Sequence, residues 1–170
     1  MTEAIQNARR LIAVVQLENV RLVEAVAKTG VRSREEAGEV ESLVHHSARA
    51  PHGIHDGVFY VLASLEVRVT SAQVEETKRS LHLKVEFELK YKVPSDFKAS
   101  KVEVGNFAKV NAIYNAWPYF REYVHTTMQR MNLAPLILPV YRIPLPPKNP
   151  ATSSTGQEPP SGRSPAAPQE

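Results

Sequence analysis

From position 81 to 93 the chain alternates without a slip. Leu81, Leu83, Val85, Phe87, Leu89, Tyr91 and Val93 are apolar or aromatic, and His82, Lys84, Glu86, Glu88, Lys90 and Lys92 stand between them. Successive side chains of a strand point to opposite faces, so the pattern predicts a long strand with one greasy and one charged face. Residues 58–70 repeat it more loosely: Phe59, Val61, Ala63, Leu65, Val67 and Val69 fall on one side, Tyr60, Leu62, Ser64, Glu66, Arg68 and Thr70 on the other. The polar stretch 71–80 suits a long hairpin connection between the two. Upstream, the valine-rich stretch 17–28 alternates imperfectly, as a bulged strand does, and 40–49 gives a fainter strand pattern. Residues 30–38 and 51–57 read as loops. The expectation is an antiparallel sheet of about four strands with one solvated face.

The period then changes. Phe107, Val110, Ile113, Tyr114, Trp117, Phe120, Val124, Met128 and Met131 recur every three or four residues, the stripe of an amphipathic helix. Pro118 interrupts it, so either the helix kinks there or a second helix begins with Asn115 as its cap and Pro118 in its first turn. Pro135 is expected to end the helix, and the apolar run 135–141 after it must dock on something. The fold class is therefore α+β: a four-stranded antiparallel sheet, a long kinked helix and a short C-terminal segment. One helical region is too little to cover this much apolar surface, which argues for an oligomer or a binding surface.

Composition sharpens the boundaries. Of thirteen prolines in 170 residues, eight lie after position 143, in a stretch with no aromatic residue. Such a segment buries too little apolar surface to offset its conformational entropy. The expected division is a folded domain over 1–143 and a disordered Pro/Ser-rich tail over 144–170. The net charge of +3 gathers in residues 101–143, with five basic and two acidic side chains. The longest basic clusters are pairs, Arg9-Arg10 and Lys78-Arg79, short of a nucleic-acid arm. A nucleic-acid module acting through Lys84, Lys90 and Lys92 is the least favoured alternative.

Candidate chemistry is sparse. Without cysteine there is no disulfide framework, thiol nucleophile or cysteine zinc site. No nucleophile elbow, phosphate loop or dinucleotide fingerprint occurs, so no catalytic residue, enzyme activity or cofactor is expected. His45, His46, His52, His55 and Asp56 fall within twelve residues, but adjacent His45 and His46 point apart on a strand, and no metal site is expected. No apolar run approaches the ~18 residues of a membrane span, and a soluble, cytoplasmic protein is the expectation.

One stretch is more specific. Asn115-Ala116-Trp117-Pro118-Tyr119-Phe120-Arg121-Glu122, followed by Pro135-Leu136-Ile137-Leu138-Pro139, resembles the C-terminal signature of the SecB family of bacterial protein-export chaperones. Asn115, Pro118, Tyr119, Arg121 and Glu122, then Pro135, Leu136 and Leu138, stand in the places of the signature, and the resemblance is specific over residues 107–141. It implies an ATP-independent holdase for unfolded or nascent chains, assembled as a homotetramer, a dimer of dimers with helices sandwiched between sheets. Export members pass clients to the translocase ATPase SecA, whereas relatives stabilise one antitoxin of a toxin–antitoxin pair. Export members present an acidic sheet face to SecA; here Lys84, Lys90 and Lys92 stand beside Glu86 and Glu88, which shifts the expectation toward other clients. On this resemblance Phe59, Val61, Leu65, Leu136, Leu138 and Tyr141 are the client-binding candidates. Leu81, Leu83, Val85, Trp117, Phe120, Val124 and Met128 are the candidates for the oligomer interface.

Overall fold

The computed structural model describes residues 8–30, 40–71 and 80–142. Four strands form one antiparallel sheet: β1 (Gln16–Thr29), β2 (Val40–Arg49), β3 (Val58–Ser71) and β4 (Ser80–Lys92), in the order β1-β4-β3-β2. The two strands with the clearest alternation, β3 and β4, are central, where both faces and both edges are constrained. β1 and β2 are the margins. The register of β1 on β4 slips twice, between Leu17 and Asn19 and between Leu22 and Glu24, so the broken alternation of 17–28 records two bulges. The expected loop 30–38 and connection 71–80 lie largely outside the described residues, as does the tail 144–170.

The loop at 51–57 closes on a tight turn. His55 and Val58 exchange both backbone hydrogen bonds at 2.9 Å, and the two residues between them have positive φ, 50° at Asp56 and 72° at Gly57. An Asp-Gly pair suits such a two-residue hairpin. A Cβ on Gly57 would lie 2.7 Å from the Val93 carbonyl oxygen, so the position requires glycine for space as well as conformation.

The helical region starts earlier than its apolar stripe. Ser100 caps α1 (Lys101–Phe107), accepting from the Glu103 N–H, while the Glu103 carboxylate accepts from the Ser100 N–H at 2.8 Å. This reciprocal box is a known start signal; those backbone and hydroxyl donors hold the Glu103 carboxyl below the usual range. A π-helical turn, Ala108–Ala112, then joins α1 to α2 (Ile113–Arg130). Pro118 sits inside α2, and Asn115 is not a cap: its side chain is used elsewhere. Nor does Pro135 end the helix. Asn132, at φ 55°, closes it three residues sooner, with Asn132 N–H to the Gln129 carbonyl and Leu133 N–H to the Met128 carbonyl, both at 3.0 Å, a Schellman motif.

Helices α1 and α2 lie over the inner face of the sheet, and the core sits between. Every alternate side chain of β3 from Phe59 to Val69 and of β4 from Leu81 to Tyr91 is buried there, with Val104, Phe107, Ile113, Phe120 and Val124 from the helices. The outer face carries a web of ion pairs. Glu18 meets Lys90 at 2.8 Å and Lys92 at 3.9 Å, Arg21 meets Glu88 at 2.8 Å, Glu24 meets Lys84 at 3.8 Å, and Arg49 meets Glu86 at 3.6 Å. Exposed pairs contribute only ~0–1 kcal/mol each. Their effect here is on charge: the three lysines of β4 each face a glutamate of β1.

Candidate polypeptide-binding surface

The helix uses the two sides of its signature differently. Asn115 and Trp117 are two residues apart, about 200° around a helix, so they address different neighbours. Asn115 Nδ2 donates to the buried Tyr91 hydroxyl at 3.0 Å, tying α2 to β4; burial pushes the Tyr91 phenol far above its ordinary range. Tyr91 stacks on Phe59 at 5.2 Å between ring centroids, and Phe107 stands edge-on to both. Trp117 faces the chain after the helix: its Nε1–H donates to the Pro139 carbonyl at 2.8 Å. Tyr119 packs tilted beside Phe87, half in solvent, and Arg121 and Glu122 are exposed.

Residues 134–142 form an extended arm that runs back along α2, from Met128 toward Trp117. Its inward side chains are Leu138, 3% exposed, and the half-buried Leu136 and Tyr141. Tyr141 lies 5.2 Å from the Trp117 ring and 5.3 Å from that of His46, which comes from the margin strand β2. His46 also meets Trp117 edge-on at 6.4 Å. Burial, and then the neighbouring His45, lower the His46 imidazole below its usual pKa, while burial raises that of Tyr141. On the other side of the arm Ile137 and Val140 stand 82% and 68% exposed.

The candidate residues divide accordingly. Leu136, Leu138 and Tyr141 come together with Trp117 at the arm. Phe59, Val61 and Leu65, expected to meet a client, are at most 1% exposed beneath the helices. They are core residues, because α1 and α2 of the same chain cover the inner face. For the same reason Leu81, Leu83, Val85, Trp117, Phe120, Val124 and Met128, expected between subunits, are buried within one chain. The surplus apolar surface lies at the margins instead: Leu17, Leu22 and Val23 on β1, Leu43 on β2, Val102 on α1, and Tyr114 and Tyr119 on the two flanks of α2. Tertiary burial decides this, and alternation alone cannot, since it marks a face without saying what covers it.

The histidines do not converge. His46 belongs to the aromatic slot, and His45, next to it on the strand, belongs to the opposite face. His52 and His55 line a shallow depression of about 360 Å³ with Lys101 and Val104. Among the described residues no group of three or more histidine, aspartate or glutamate side chains is placed to hold a metal ion. No described helix is long and apolar enough to cross a membrane.

An open four-stranded antiparallel sheet in the order β1-β4-β3-β2, roofed on one face by a long interrupted helix with a docked arm, is the SecB-like fold. The comparison that carries this is with the Mycobacterium tuberculosis Rv1957 SecB-like chaperone, in complex with a ChAD peptide from the Rv1956 HigA1 antitoxin. It shares the fold at a TM-score of 0.69 and 20% identity, over 82% of this chain and 99% of that one. A protein of unknown function from Streptococcus agalactiae aligns at a TM-score of 0.40 and 12% identity, over 74% of this chain and 96% of that one. No family model and no curated protein matches the sequence. The chain thus has the SecB-like fold that the signature at 107–141 implies.

Proposed function

We propose that this chain is an ATP-independent holdase chaperone that binds non-native polypeptide segments in extended form, with no covalent step and no cofactor. The observation that carries the proposal is apolar surface left in solvent on a SecB-like fold, foremost Ile137 and Val140 beside the Trp117 slot. Such a surface gains from burial against any client that presents aliphatic side chains, and the gain is non-directional, which suits clients of many sequences. The same reasoning assigns the exposed flank of β1 and the flanks of α2 to contacts between copies in a homotetramer of 19.0 kDa chains. A cytoplasmic setting follows from that role. SecA is the less favoured partner, because the carboxylates of the outer face are already paired with lysines and arginines.

The test is suppression of aggregation by an unfolded client at stoichiometric amounts. The expected result is protection without nucleotide; absence of any protection would sink the proposal. A second reading, a dedicated chaperone of one antitoxin, is favoured by the antitoxin peptide held by the M. tuberculosis chaperone. Affinity capture separates the two: many partners support the general holdase, a single one the dedicated chaperone.

A further inference from the structure

The arm is held by few directional bonds. Among the described residues, 134–142 make no backbone-to-backbone hydrogen bond. Two bonds reach their main chain: the Leu136 N–H donates to Met128 Sδ at 3.3 Å, a weak acceptor, and the Pro139 carbonyl accepts from Trp117 Nε1. The rest is the burial of Leu138 and the meeting of Tyr141 with Trp117 and His46. A strand cannot leave a sheet without breaking a ladder of paired amides. This arm can, since water satisfies its amides as well after release as before. Its outer face is no more polar than the groove it covers, as Ile137 and Val140 show, so docking it exchanges one apolar surface for another.

What holds the arm also describes a ligand. The slot takes an aliphatic anchor at Leu138, a carbonyl at the next residue facing Trp117 Nε1, and an aromatic ring two residues on. Pro135 and Pro139 donate no hydrogen bond and keep the segment extended. Nothing in this list depends on the segment being covalently part of the chain.

We infer that the arm 134–142 is an internal pseudo-client: it occupies an extended-peptide slot made by Trp117, Met128 and His46, and a client segment rich in aliphatic residues and proline binds by displacing it. The inference rests on the holdase reading above and adds how that site is regulated. Self-occupancy lowers the apparent affinity for clients by the fraction of time the slot is open, so weak clients are refused.

Trp117 is the single tryptophan, which makes its emission a reporter of the slot. In full-length Leu138→Asp the emission should shift to the red, and a synthetic peptide of residues 133–142 added in trans should shift it back. The same peptide carrying aspartate at position 138 should not. No recovery with the native peptide overturns the inference, whether or not any client protein binds. Leu138→Ala gives a second route. With reduced, carboxymethylated ribonuclease A as a tryptophan-free unfolded probe, it should bind at least about tenfold tighter than the native chain, because a weakened arm opens the slot more often. Equal or weaker binding by Leu138→Ala means that clients lie on the arm, and overturns displacement while leaving the holdase reading intact. If neither chain binds the probe, the holdase reading falls, and the peptide in trans alone decides whether the slot takes extended segments.

Discussion

On one side of the helical region Phe59, Tyr91 and Phe107 pack ring against ring inside the core, with Asn115 bonded to the Tyr91 hydroxyl. On the other side of the helix Trp117, Tyr141 and His46 meet at the margin strand β2, with one bond from the Trp117 indole to the arm. Both anchors use three rings and one side-chain hydrogen bond. They differ in what surrounds them. The first is enclosed by β3, β4 and α1, so loosening it opens the core. The second holds a segment with no ladder of its own, so loosening it opens a groove and leaves the core closed. Similar chemistry makes a permanent joint or a releasable one according to the backbone bonding behind it.

The largest effect is expected at the inner anchor. Phe107→Ala removes a fully buried ring and should cost about 3–5 kcal/mol, a large share of a domain's stability. Far-UV circular dichroism and Trp117 emission should then lose signal together at a much lower urea concentration, because the whole domain unfolds as one. If the two signals separate in this variant, the inner anchor is not part of the cooperative core.

Leu138→Ala probes the other side. A buried leucine ordinarily costs ~2–5 kcal/mol when cut to alanine. Here the loss of global stability should stay below about 1–2 kcal/mol, since the arm can undock locally and so caps the penalty. Trp117 emission should change at low urea while circular dichroism stays native. A single coincident transition, shifted by the full leucine penalty, would place the arm in the core and erase the distinction between the anchors.

The same contrast explains what could be read from the chain. β3 and β4 were legible because they are central, paired on both edges, with inner positions all apolar and outer positions mostly polar. β1 was legible as bulged, but its irregular pattern hid which side chains α2 leaves uncovered. Ser100 and Glu103, three residues apart, signal the start of α1, two turns ahead of the apolar stripe that begins at Phe107. Asn132, a residue that tolerates positive φ, marked the helix end better than Pro135 did. The signature singled out Leu136, Leu138 and Tyr141 for clients and Trp117 for the oligomer interface; it did not carry the contact that brings Tyr141 against Trp117. It did not separate core from surface at Phe59, Val61 and Leu65. That depends on which chain's helix covers the face, a tertiary fact that no local pattern carries.

Acidity should sort the regions, through the smallest of these effects. Burial, and then the charge of His45, hold the His46 imidazole below its ordinary pKa of ~6.5. The unfolded or undocked chain therefore takes up that proton more readily than the docked one. The stability His46 lends the arm is whole above about pH 6.5 and is lost as the pH falls below it. The carboxylates act elsewhere. The Lys90 hydrogen bond holds Glu18 low; Glu66, which burial would raise, is held low by the bond and charge of Arg68 with help from His82. Their contribution is present above the usual carboxylate range of ~4 and is lost only as the pH falls through and below it. Between pH 7.5 and 5.5 the low-urea change in Trp117 emission should therefore move to lower urea while the main circular-dichroism transition moves less. His46→Phe keeps a ring in place and removes the titration, so it should abolish the first shift and spare the second. An unchanged shift in that variant would assign the pH response to some group other than His46, and would leave the arm's seat at β2 held by aromatic packing alone.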